Sequence, residues 1–389
     1  MAAAEPKTLL TVQALRALAA LAVAAAHLLP FEAKYLSGPA LVPHALDYGQ
    51  AGVDLFFVLS GFIVTAITAG RPRGGAEAAR FLAKRALRIY PVYWVYFFAV
   101  LAVWLASPGM VNSSAAIPPD PVASFFLWPQ RGTPLLFVSW TLTFEMLFYL
   151  AFAGLLWGLR DERALPAALA VLGAVVVAGW LAFRPGLDRP ILVTLFNPLI
   201  LEFLMGCAVA LALRRPALAA GTALRPAVGW SSLALGLAGL AAAVAWLAAG
   251  ERPMPVDWPR VALFGVPSAL VLLGCVALEP TLGPRTPRPL VALGDASYSL
   301  YLGHVLVIAA VGRAWRMSGL PTEPAWAHLA ALGAALAGCC VVALLSFRLL
   351  EAPLLARVRR ALDRRPPAAA DGGPRAPGVA SPTARPAAS

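Results

Sequence analysis

An arginine and a histidine set inside one apolar run are the first residues of this chain that could do chemistry. Arg16 and His27 lie in Gln13-Ala-Leu-Arg-Ala-Leu-Ala-Ala-Leu-Ala-Val-Ala-Ala-Ala-His27. The step between them ends about 20° past three full helical turns, with a rise of roughly 16 Å. Both side chains therefore fall on one stripe of one helix. Ionisable groups at membrane depth are costly, and they face a bundle interior or a water-filled cavity. A neutral imidazole is the natural base for a hydroxyl proton, and a guanidinium matches phosphate with paired hydrogen bonds. Two plainer readings stay open on these residues alone. Lys7 ahead of a short apolar run ending near Ala24-Ala-Ala-His27 has the look of a signal peptide. Alternatively, Arg16 snorkels to an interface while His27 bonds a neighbouring helix.

Few other polar residues share that depth. Asp54, in Gly49-Gln-Ala-Gly-Val-Asp54-Leu-Phe-Phe-Val-Leu-Ser60-Gly61-Phe62, could orient an imidazole, hold a hydroxyl, or simply favour a helix N-terminus. Ser60-Gly61 reads as a close helix contact rather than a nucleophile, since no Gly-x-Ser-x-Gly elbow surrounds it. Glu145 follows Trp140 in Ser139-Trp-Thr-Leu-Thr-Phe-Glu145. A carboxylate there needs a partner or a proton; it could accept from a sugar hydroxyl, assist a histidine, or pair with an arginine. Ser297, Tyr298, Ser299, Tyr301 and His304 crowd one span, as a polar pocket wall or as ordinary interhelical hydrogen bonds. Glu202 stands on an otherwise apolar helix with no evident use, and Glu351 near the last span is open between binding and an Arg contact. His44 and His328 fall near loop–helix boundaries. The basic stretch Phe81-Leu-Ala-Lys-Arg85-Ala-Leu-Arg88 is either a lipid anchor or a seat for a phosphorylated donor.

The elements that must position these groups are membrane helices. The chain has 389 residues, 60% of them hydrophobic and 13% charged, whereas soluble domains run nearer half apolar and a quarter charged. Apolar runs fall at about 9–30, 50–70, 90–107, 135–158, 164–183, 191–213, 228–249, 260–278, 290–311 and 326–350. The expected fold is an all-α integral membrane protein of about ten transmembrane helices. The net charge of +12 does not indicate a nucleic-acid partner. Its arginines sit between the runs, as in 71–88, 160–163, 214–225 and 285–288, and the positive-inside rule then places both termini in the cytoplasm. All four cysteines lie in apolar runs, which supports neither a disulfide framework nor a metal site. Residues 1–355 form one transmembrane domain. Residues 356–389 read as a disordered, basic, Pro/Ala-rich cytoplasmic tail.

Several motifs, taken in order, resemble the membrane-bound acyltransferase-3 family. They are Arg16 and His27 with ten residues between, the Gly49–Phe62 stretch, and the basic run into Arg88-Ile-Tyr-Pro91. Ser-Trp-x-Leu-x-x-Glu145, Gly-Asp-Ala-Ser-Tyr-Ser-x-Tyr-x-x-His304 and Glu351-x-Pro353 complete the series. Thr141 and Ala83-Lys84-Arg85 are small departures that remove no proposed catalytic group. The resemblance implies transfer of an acyl group, usually acetyl from acetyl-CoA, to a carbohydrate or related hydroxyl. It implies an essential His27, an Arg16 that helps hold the donor, and Glu145 in the active-site region. The absence of an appended esterase-like region resembles exopolysaccharide acetyltransferases of the bacterial inner membrane. The expected site thus uses His27, Glu145 and Asp54 in catalysis and Arg16, Arg85 and Arg88 on the acyl-CoA co-substrate. Trp140, Ser297, Tyr298, Tyr301 and His304 would surround the substrate. A lipid-linked or macrolide-like acceptor, or transport of a polar substrate through the same cavity, are the alternatives.

Overall fold

The computed structural model describes residues 9–112, 116–183, 188–218 and 220–363, and among them there is no strand. The chain begins with α1 (Leu10–Ala26) and α2 (Leu28–Tyr35), then a 3-10 segment, His44–Ala51, leading into α3 (Gly52–Thr68). The long α4 (Gly75–Ala106) and the short α5 (Pro121–Phe125) precede α6 (Trp140–Gly158) and α7 (Leu165–Phe183). Next come α8 (Pro190–Leu195), α9 (Ile200–Leu213) and α10 (Leu224–Ala249). A π-helical turn, Val261–Gly265, joins α11 (Asp257–Arg260) to α12 (Val266–Ala277). After α13 (Glu279–Leu282) come α14 (Arg288–Asp295), α15 (Ser297–Met317) and α16 (Ala325–Ser346); a second π-helical turn, Phe347–Glu351, leads to α17 (Ala352–Asp363). Nine helical segments among the described residues are long and apolar enough to cross a membrane, and α14–α15, bent by 78°, makes a tenth if counted as one span. The chain is an all-α, multi-pass membrane protein.

Small residues put α1 at the centre. A side-chain carbon on Gly49 or Gly52 would lie 2.3 Å from the carbonyl oxygen of Ala22 or Ala19, and one on Gly294 would lie 2.1 Å from that of Gln13. Only glycine permits backbones this close. α3 and α9 cross in the same way, since a Cβ on Gly61 would meet the Phe203 carbonyl at 1.8 Å and one on Gly206 the Val58 carbonyl at 1.9 Å. Phe57, Phe203 and Phe148 stack beside this crossing at 4.5 and 4.6 Å between ring centroids. Because the obstacle is backbone, Gly61→Val cannot be relieved by a rotamer change. Its expected cost exceeds the ~1–3 kcal/mol of ordinary overpacking. A fall in melting temperature of the detergent-solubilised protein checks this.

The first span runs on to Tyr35 and has a joint at His27. The last helix passes the expected domain boundary at 355 and ends at Asp363; residues 364–389 of the expected tail, and Lys7, lie outside the described residues.

Candidate active site

A cavity of about 350 Å³ opens between α1, α3, α4, α6 and α15. Three arginines face it: Arg16 from α1, and Arg85 and Arg88, nearly one turn apart on α4. The sharp bend before Ser297 brings the first turn of α15 against α1, where Arg16 Nε donates to Ser297 Oγ at 3.1 Å. Arg85 lies 5.9 Å over the Tyr149 ring, and its Nε is buried without a hydrogen-bond partner among the described residues. Three cations around an apolar-walled cavity make a seat for a polyanion.

Acidic and hydroxyl groups complete the wall. Glu145 Oε1 accepts from Ser60 Oγ at 2.5 Å and from the Tyr149 hydroxyl. Tyr298 donates to the Ile89 carbonyl at 2.8 Å. The Tyr301 hydroxyl donates to the Val138 carbonyl at 3.0 Å and lies 2.9 Å from Thr141 Oγ1. Behind this wall Glu351, turned inward by the second π-helical turn, accepts from Ser299 at 2.9 Å and reaches Arg88 and Arg16 electrostatically. A hydroxyl chain from Tyr96 through Ser346 to Ser299 supports it, at 2.9 and 3.2 Å.

His27 is not on the cavity wall. Tyr301 lines the cavity, its ring centroid is 5.8 Å from that of His304, and the His304 centroid is 4.8 Å from that of His27. His27 is held by its own helix. At the joint its amide is 3.4 Å from the Val23 carbonyl, and its ring Nδ1 is 2.8 Å from the same oxygen. A carbonyl only accepts, which assigns the proton to Nδ1 and leaves the Nε2 lone pair as the base. His304 repeats the pattern, with Nδ1 on the Leu300 carbonyl at 3.2 Å and a buried Nε2 without a partner among the described residues.

Of the expected residues, Arg16, Arg85, Arg88, Glu145, Ser297, Tyr298 and Tyr301 come together on one cavity. His27 and His304 form a pair off its lining, next to Tyr301. Asp54 and Trp140 do not join either group. Asp54 is fully buried and grips Arg260, with Nη2 at 2.8 Å and Nε at 3.0 and 3.2 Å, so its oxygens are committed to that arginine. Trp140 packs on Phe57 and Phe144, with the Arg260 guanidinium 5.9 Å over its ring, and does not line the cavity. Sequence reasoning missed Arg260, whose one signal is its position at the edge of an apolar run. It read Ser60 only as a helix contact and passed over Tyr149 and Gln13, all three on the cavity. Gly61 makes the close contact read for Ser60-Gly61, while the serine turns to Glu145. Of the remaining histidines, His328 bonds the buried Glu32 at 2.6 Å, and His44 packs on Tyr48.

Residues 10–344 match the family model described as an acyltransferase domain. The exopolysaccharide production protein ExoZ of Rhizobium meliloti (strain 1021) is 35% identical over 327 residues, covering 81% of this chain and 92% of that protein. The acyltransferase MdmB of Streptomyces mycarofaciens is 30% identical over 323 residues, covering 76% and 77%. Nodulation protein 10 of Rhizobium leguminosarum bv. viciae is 28% identical over 300 residues, covering 68% and 73%. No solved structure is significantly similar to the chain.

Proposed function

The chain belongs to the acyltransferase domain family, and on that premise we propose that it moves an acyl group, acetyl first, from acyl-CoA to a hydroxyl of a cell-surface or exported carbohydrate. The observation that carries this reading is a three-arginine cavity that includes Arg16, on the helix that ends at His27. Arg16 and His27 are separated by roughly 16 Å of helix rise. The extended arm joining the phosphates of CoA to its sulfur spans about 15 Å at the reach of an extended chain. Phosphates held by Arg16, Arg85 and Arg88 thus put the thioester within range of the His27 base, provided the arm passes Tyr301.

In this reading His27 Nε2 takes the acceptor hydroxyl proton as that oxygen attacks the thioester carbonyl. The tetrahedral intermediate collapses, the carbon–sulfur bond breaks, and the imidazolium returns the proton to the CoA thiolate. Glu145, tied to Ser60 and Tyr149, lies on the donor side of Tyr301 and keeps this wall polar. The carbohydrate acceptor rests on the likeness to a protein named for exopolysaccharide production. A bacterial inner membrane, with both termini cytoplasmic, rests on the distribution of arginines between spans.

Mass spectrometry of surface glycans from a strain lacking the gene, complemented or not with the wild type, tests the acceptor. An acetyl mass returning only with the wild type is the expected result. No change in any glycan would overturn the carbohydrate acceptor and favour a lipid-linked or macrolide-like one. Arg16→Ala tests the donor seat. Losing a charge-assisted hydrogen-bond donor is expected to raise the acetyl-CoA KM by about 10- to 100-fold, read as CoA release in membrane vesicles.

A further inference from the structure

The segment that carries α6 into the membrane is buried at every position but one. Leu135 is 1% exposed, Leu136 2% and Val138 2%, and Ser139 is fully enclosed, yet Phe137 between them is 40% exposed. The backbone there is pinned. Asn112 Nδ2 donates to the Pro134 carbonyl at 2.9 Å, and the Leu135 amide donates to Ser124 Oγ at 3.0 Å. On its other side the Val138 carbonyl holds Tyr301. Phe137 is therefore presented by a rigid strip. Its ring centroid lies 6.2 Å from that of His27, whose ring is also 4.8 Å from that of His304.

We propose that Phe137 is the acceptor platform, and that the acceptor it takes is a pyranose ring. The inference rests on the function proposed above and adds how the carbohydrate is recognised. A pyranose has a rim of hydroxyls and a face of C–H groups. The negative face of an aromatic ring attracts such C–H groups and leaves the rim hydroxyls free. With the sugar seated on Phe137, a rim hydroxyl faces His27 Nε2, the one ring nitrogen not committed to backbone. Small-molecule sites combine apolar surface with a few placed polar groups in this manner. Phe137 acts by holding the acceptor; the proton still goes to His27.

The test uses the full-length protein in detergent with labelled acetyl-CoA. Its acceptor is oligosaccharide prepared from the de-esterified glycan of the gene-lacking strain. Phe137→Ala is expected to raise the acceptor KM about tenfold and leave the acetyl-CoA KM unchanged. Phe137→Tyr and Phe137→Trp should restore the acceptor KM, and Phe137→Leu, similarly apolar but without a ring face, should not. An unmoved acceptor KM in Phe137→Ala, a wild-type value for Phe137→Leu, or both KM values rising together would overturn the platform. A wild type that acetylates no oligosaccharide while still releasing CoA with another acceptor would instead overturn the carbohydrate reading itself, and this inference with it.

Discussion

Replacing His27 by alanine is expected to lower acyl transfer by about 10²- to 10⁴-fold, the contribution of a positioned general base. Acetyl-CoA KM and protein abundance should stay near wild type. The geometry supports that separation, because His27 lies outside the cavity that would hold the donor and is only partly buried. Among the described residues its ring bonds only a carbonyl of its own helix, so removing the ring leaves no distant partner stranded. His27→Gln is the sharper variant. It keeps a polar side chain of comparable reach but has no group that can take and return a proton near neutral pH. Both should be inactive while folded. CoA release in vesicles at matched expression, together with the glycan mass, gives the readout. Full activity of His27→Ala would move the base to His304, whose Nε2 is buried beside it without a partner among the described residues.

The helix that carries Arg16 and ends at His27 was legible because it needs only a local apolar run. The helical class and the number of spans were legible for a similar reason, since apolar length is a local property. What brings the site together is not local. Ser297 reaches Arg16 because α14 and α15 meet at a sharp bend, and the sequence there reads as one apolar run. Ser60 and Glu145 are 85 positions apart, and their contact depends on how α3 crosses α6. Asp54 looked catalytic for want of a visible partner. That partner, Arg260, is 206 positions away and could be found only by packing α3 against the end of α11. Phe137 was one aromatic among many until the strip around it was seen to be buried.

Arg260→Met should be the most destabilising single change among these polar residues, by about 3–5 kcal/mol. The arginine side chain is 8% exposed and that of Asp54 is 0% exposed. Glu202 is the electrostatic neighbour of both, and neither of its carboxylate oxygens has a hydrogen-bond partner among the described residues. Removing the cation leaves two acids facing each other in the bundle interior, with nothing to offset their desolvation. Asp54→Asn should cost less, since Arg260 then still has Glu202 nearby. The double variant Asp54→Leu with Arg260→Met should recover much of the loss, because it removes the buried charge pair together. Thermal unfolding in detergent orders the three variants, and CoA release measured on the folded fraction separates two roles for Asp54. If Asp54 only holds α3 to α11, the double variant regains activity along with stability. If Asp54 works on His27 from its place in the ion pair, the double variant folds and stays inactive. The distances favour the first outcome, since the Asp54 carboxylate accepts from Arg260 at 2.8, 3.0 and 3.2 Å.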